Sequence, residues 1–208
     1  MDAFEVLHTR RSIRQFLNRP VGEDLVKELL SAAMSAPTAG GIQPWRFVVI
    51  TDREKLDKIP DFHPYAGMIK QAPLAILVCG DTTSANYGKY WVQDCSAAME
   101  NLLLAARAKE LASLWCGVHP VPEREQAFRE LFNLPDTVSP LGLAILGYSE
   151  TWGIKKERDA MESGRTARHH HTDAAVVDKK RGRSSAPFNR NATAGQREKG
   201  TQGQCVRY

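Results

Sequence analysis

No stretch of this 208-residue chain approaches about 18 consecutive apolar residues, so the sequence contains no membrane-crossing helix. Cysteine is scarce. The four present, Cys79, Cys95, Cys116 and Cys205, form no CxxC pair. That spacing fits neither a zinc site nor a disulfide framework. Three of the four lie in apolar stretches, so they read as reduced core thiols of a cytoplasmic protein. The opening residues, MDAFEVLHTRR, lack the basic, apolar and small order of a secretory signal, which supports the same location. There is no internal repeat and no Gly-rich dinucleotide fingerprint. A convincing acid–base pair and a Ser/His/Asp order are missing too, so no side chain is assigned as catalytic. His169, His170 and His171 read as a polyhistidine stretch, and no metal site is expected.

What is present divides unevenly. Residues 1–158 carry 18 Lys and Arg against 19 Asp and Glu, whereas 159–208 carry 10 against 5. The last segment holds no Leu or Ile. Its large apolar residues are Met161, Val176, Val177, Phe188 and Val206, too few for burial to offset the entropy of ordering. The expected organisation is a domain over 1–158 and a basic tail over 159–208 without its own fold. Lys179, Lys180, Arg181 and Arg183 lack interleaved aromatics for base stacking, so they read as a solvated charge run, with no nucleic-acid partner.

Periodicity places the elements. Leu25, Val26, Leu29, Leu30 and Ala33 predict an amphipathic helix over 23–34, ending before Pro37. Further helices are expected over 2–8, 52–59, 90–109 and 122–132, the last with proline in its first turn. Strands are expected over 47–51, 74–80, 112–116 and 141–147. The near-continuous apolar run LAILVCG marks 74–80 as covered on both faces. The helix over 90–109 is apolar round much of its girth, which suggests a subunit interface, the alternative being a larger monomeric core. Helices and strands mix without strict βαβ alternation, so the class is α+β, with helices against one sheet.

Two segments stand out chemically. Arg10, Arg11, Ser12 and Arg14 set three cations and a hydroxyl within five residues, an anion site or a solvated basic turn. Residues 35–47, SAPTAGGIQPWRF, place a Gly-Gly pair between two prolines. Gly40 and Gly41 permit close backbone approach to a ligand, although alone the segment is simply a loop.

Together, RRSIRQF followed about 25 residues later by APTAGGIQPW resembles the nitroreductase family of FMN-dependent oxidoreductases. DCSAAMENLLLAA resembles that family's long central helix, and PLGLAILGY its last core strand. The likeness covers about residues 3–158. It implies helices packed around a mostly antiparallel central sheet in a homodimer with shared flavin sites. It implies FMN contacts from Arg10, Arg11, Ser12 and Arg14. Pro37, Thr38, Ala39 and Gln43 then match a loop that approaches the flavin from the partner subunit, and Gly41 of the same loop is counted with the cofactor-binding residues. Trp115, Cys116 and Gly117 match the segment near the flavin N5 edge, and Pro140, Leu141 and Gly142 a stretch beside the cofactor. Lys156 and Arg158 match a phosphate-binding K-x-R.

The implied reaction passes hydride from NAD(P)H to FMN and then electrons to a small nitroaromatic or quinone-like acceptor, with ping-pong kinetics. The cofactor supplies the redox chemistry, and the protein supplies binding and electrostatics. Phe62, His63, Tyr65 and Tyr90 are candidates for the acceptor face. Some residues depart from the pattern. Gly41 stands where the family usually has Asn, and Glu110 and Ala112 replace two glycines. If position 110 has positive φ, Glu110 is strained by about 1 kcal/mol. Residues 159–208 do not resemble the family's C-terminal segment. These departures also admit a flavin-binding protein with altered or lost NAD(P)H turnover, for flavin storage or modification.

Overall fold

The computed structural model describes residues 1–83 and 88–151. Lys156, Arg158, Cys205, His169–His171 and the expected tail over 159–208 lie outside the described residues. Helices α1 (Ala3–Thr9) and α2 (Glu23–Met34) precede strand β1 (Trp45–Ile50). Then come α3 (Arg53–Phe62), β2 (Leu74–Asp81), α4 (Trp91–Ala108), β3 (Ala112–Gly117), α5 (Pro122–Phe132) and β4 (Val138–Gly147). The strands form one antiparallel sheet in the order β1-β2-β4-β3, so the α+β class is as the sequence led us to expect. Among the described residues no helix is long and apolar enough to cross a membrane.

Local chemistry sets the helix ends. The Asp2 carboxylate accepts the Glu5 N–H at 2.9 Å, and Asp52 accepts that of Glu54 at 2.9 Å, satisfying donors the first turns leave free. Pro122 opens α5, and Asn133 closes it in the left-handed region at φ 50°.

Strand β2 alternates between two cores. Leu74, Ile76 and Val78 pack with Leu29 of α2 and Met99 and Leu102 of α4. Ala75, Leu77 and Cys79 pack with Leu56 and Ile59 of α3 and Phe128 of α5. In β4, Ala144 and Leu146 join the first core and Leu143 and Ile145 the second. Burial on both faces is why these strands read as apolar runs rather than alternations. Strand β4 starts three residues earlier than periodicity suggested, because it runs through Pro140. There the register shifts between Val78 and Cys79, an irregularity that tolerates the missing N–H. Strand β1 likewise starts at Trp45, and α3 continues past Ile59 through Pro60.

Strand β3 lies at the sheet edge, and the arginine-rich segment runs along its outer side. A parallel bridge pairs Ser12 with Ser113, and the Ile13 N–H donates to the Ser113 carbonyl at 3.1 Å.

Glu110 has φ 59° in the turn that ends α4, where the Leu111 N–H returns to the Ala106 carbonyl at 2.8 Å. A Cβ in that region is strained, as the sequence anticipated for a positive φ. Glu110→Gly is expected to raise stability by about 0.5–1 kcal/mol in urea unfolding, the relief of strain exceeding the added freedom of the unfolded chain.

Candidate functional site

Backbone polar groups of an edge strand point alternately toward the neighbouring strand and away from it. Ser113 spends its outward carbonyl on Ile13. Trp115 and Gly117 face the same way two and four residues on. There the strand borders a cavity of about 510 Å³, lined by Trp115, Cys116 and Gly117 together with Arg14. The remaining walls come from Leu114, the turn after α3 (His63, Pro64, Tyr65, Gly67, Met68) and Arg124 of α5. Two segments that the sequence singled out separately, about 100 residues apart, therefore meet at one cavity.

The four residues of the basic segment have different fates. Arg14 is exposed and lines the cavity, its Nη1 only 3.4 Å from the Ser12 carbonyl. Arg11 turns back onto α1, donating to the His8 and Arg10 carbonyls at 2.6 and 2.8 Å. Arg10 approaches Glu100 of α4 at 3.5 Å, and Ser12 makes the bridge to β3.

The proline-bracketed loop is organised by one carboxylate. Asp94 of α4, only 6% exposed, accepts the Thr38 hydroxyl at 2.9 Å and the Ala39 N–H at 3.1 and 3.2 Å. The Thr38 oxygen in turn accepts the Gln43 N–H at 3.0 Å. Gly40 and Gly41, at φ 59° and 70°, supply the left-handed turn that this closure needs. Pro37, Gly41 and Gln43 remain exposed, and none of residues 37–43 lines the Arg14 cavity of the same chain. Pro140 and Leu141 are buried, and the Leu141 carbonyl accepts the N–H groups of Val118 and His119 at 3.1 and 3.0 Å. Gly142 meets the cavity indirectly. A Cβ there would overlap the Trp115 indole at Nε1, so the bare glycine seats that ring.

The titratable groups are tuned toward neutrality. His63 is 1% exposed, and its Nε2 lies 2.9 Å from the Gly117 carbonyl. Burial lowers its pKa below the usual histidine range. The Gly117 hydrogen bond opposes that shift, and the Arg124 charge reinforces it. A neutral ring with its proton on Nε2 fits this geometry, and Nδ1 is buried without a partner. Burial pushes the Cys116 thiol up to about 11 although Arg14 and Arg124 both pull it down. The sequence shows no cation flanking Cys116. The structure supplies two, and burial still outweighs them, so the thiol stays neutral and donates to the Tyr65 carbonyl at 3.6 Å.

Of the residues considered for the acceptor face, His63 and Tyr65 line the cavity. Phe62 turns into the core against Phe128, edge-on at 5.1 Å, and Tyr90 stands half-exposed at the start of α4 without lining the cavity. His119 is tied to Glu125 at 2.9 Å and to the Trp91 ring, and it does not line the cavity. Met68 and Arg124 were missed. A signal for Arg124 was available: α5 opens only five residues after β3 ends, so its first turn returns to the tip of that strand. No group of His, Cys, Asp and Glu able to hold a metal occurs among the described residues.

A family model described as the nitroreductase family matches residues 7–63 and 63–148. A Methanothermobacter thermautotrophicus protein provisionally named NADH dehydrogenase/NAD(P)H nitroreductase is 46% identical over 148 residues, covering 71% of this chain and 78% of that one. The crystal structure of a Bacteroides thetaiotaomicron protein with the same provisional name is 37% identical. It superposes with TM-score 0.73 over 77% of this chain and 94% of its own. A Clostridium difficile protein named FMN-dependent nitroreductase is 28% identical, with TM-score 0.69 over 76% and 93%.

Two outcomes follow from the site's polar groups. Asp94→Ala leaves the Thr38 hydroxyl and the Ala39 N–H without their acceptor, and should cost about 2–3 kcal/mol in urea unfolding. Stability should also decline as pH falls below about 6.5, because the unfolded chain gains a proton that the buried His63 ring resists. His63→Gln, which keeps a donor toward Gly117, should flatten that decline.

Proposed function

This chain belongs to the nitroreductase family, and from that premise we propose that it is an FMN-dependent oxidoreductase. It takes hydride from NAD(P)H and delivers electrons to a small nitroaromatic or quinone-like acceptor. NAD(P)H and FMN are the words its relatives' names carry. The observation that carries the reading is the cavity at the open edge of β3, where Arg14 meets Trp115, Cys116 and Gly117.

The residues fit the cofactor. A cavity of about 510 Å³ lies within the range that accepts a planar ligand of this size. A Cβ at Gly67 or Gly117 would meet nothing within 4 Å, so the wall is open at both places. When bound, FMN accepts hydride from the nicotinamide donor and passes the electrons on. The chain's own part is to bind, orient and polarise. Arg14 lines the cavity, and its cation would favour the electron-rich form of a ring bound there. The outward N–H groups of Trp115 and Gly117 offer directional donors along one edge. Leu114 and Met68 line the cavity and would keep water from a ring bound there. Arg10, Arg11 and Ser12 fix the path of the segment that presents Arg14, while Lys156 and Arg158 are proposed as phosphate ligands. Donor and acceptor share the face bordered by Tyr65, which gives ping-pong kinetics.

The functional unit we propose is a homodimer. Helix α1 exposes Phe4 at 75% and Leu7 at 54%, beside an apolar groove of about 470 Å³ bordered by Val6 of α1 and by Leu104 and Ala105 of α4. Pro37, Gly41 and Gln43 of the 37–43 loop are exposed, and no residue of that loop lines its own chain's cavity, as suits a loop that serves the partner's flavin.

One observation favours the second reading, a flavin-binding protein with altered turnover. Gly41, at φ 70°, brings no side chain to the loop that would approach the ring.

Purified protein should be yellow, and anaerobic NADH or NADPH should bleach its flavin bands within the mixing time of a cuvette. Arg14→Ala should weaken FMN binding by about tenfold or more. A yellow protein that bleaches only over hours would favour the second reading, and a colourless one that takes up no added FMN would overturn both.

A further inference from the structure

Two guanidinium groups border the cavity, Arg14 and Arg124, and the flavin reading uses only the first. Neither has a carboxylate partner within ion-pair distance among the described residues. The carboxylate that follows Arg124, Glu125, is committed to His119 at 2.9 Å. Arg124 is held in place without being neutralised. One Nη1–H goes to the Gly117 carbonyl at 3.2 Å, and its carbon lies 5.4 Å from the centre of the Tyr65 ring. Tyr65 is itself braced edge-on by the buried His63 at 6.5 Å. A half-buried guanidinium over an aromatic face, with one N–H hydrogen bond among the described residues, is pre-organised for bidentate capture of an anion.

Resting on the reading that this cavity holds FMN, we propose that Arg124 determines specificity by binding an anionic group on the second ligand that stacks against the flavin. Arg124 is half-buried beside the exposed Tyr65 ring, so a substituent of an aromatic stacked in the cavity would meet it on the way out to solvent. A carboxylate on a nitroaromatic or quinone acceptor has that chemistry, and so does a phosphate of the nicotinamide donor.

The test uses full-length, FMN-loaded protein in its oxidised form. FMN uptake is measured first, from absorbance, for the wild type, Arg124→Gln and Arg124→Lys. Binding of 4-nitrobenzoate and of its neutral analogue 4-nitrobenzamide is then read from perturbation of the flavin spectrum and from equilibrium dialysis. ADP-ribose is titrated in a parallel arm. The wild type is expected to bind the benzoate about tenfold or more tightly than the amide. In Arg124→Gln that ratio should fall to near one, and in Arg124→Lys it should lie between. If instead the ADP-ribose dissociation constant rises about tenfold in Arg124→Gln while the benzoate ratio is unchanged, the anion comes from the nucleotide, and the assignment also stands. Normal FMN uptake with neither ligand affected by the substitution overturns the Arg124 assignment alone. So does an FMN dissociation constant raised tenfold with both ligands unaffected, which would mean that Arg124 holds the flavin itself. A wild type that takes up no FMN overturns the flavin reading and this assignment with it.

Discussion

The middle of the sheet is buried on both sides, and that constraint governs where polar chemistry can happen. β2 and β4 have no face left for a charged group, since helices cover each side with apolar side chains. A cofactor carrying phosphate and a polar ring edge has to be met at the margin of the sheet. β3 is that margin, and it is only partly covered. The Ile13 to Ser113 hydrogen bond fastens the arginine-rich segment along its outer side and leaves the groups near Trp115 and Gly117 facing the cavity. One backbone bridge thus decides that Arg14 and the strand tip belong to the same site.

Helix α4 then determines the spacing of everything around that site. Near its start Asp94 closes the loop over 37–43, in its middle Glu100 meets Arg10, and in its last turn Arg107 donates to Thr9 at 2.9 Å. These three attachments hold the basic segment and the proline-bracketed loop at different stations of one rigid rod. Within a single chain the two therefore stay apart, and the loop's exposed residues are free to serve a neighbouring molecule. The homodimer with shared sites that we propose would put this separation to use.

Electrostatics at the cavity follow one theme: His63 and Cys116 are held neutral, and Arg14 and Arg124 have no carboxylate partner among the described residues. Cys116 and His63 are too buried to charge easily, even with arginines nearby. Arg14 and Arg124 keep their positive charge available for ligands. Such a site is suited to bind and polarise a redox cofactor rather than to attack a substrate.

Much of the fold was legible in the chain itself, because secondary structure is written in local periodicity. The helix over 23–34 and the buried strand over 74–80 follow from spacing and apolar runs alone. The strain at Glu110 was conditional on a backbone angle that only the structure supplied. The family, too, could be recognised from the order of short motifs. What tertiary structure decided was which residues share a surface. Arg14, His63, Cys116 and Arg124 are scattered over more than 100 positions, and no period links them. Their meeting depends on strand order and on one edge bridge. Phe62 and Tyr65 look interchangeable as aromatic candidates in the sequence. One packs against the core and the other borders the cavity, because the helix ends at Phe62 and Tyr65 sits in the turn that the Ala66 N–H closes on the His63 carbonyl. Local pattern fixes what each segment becomes, whereas long-range packing fixes what it faces.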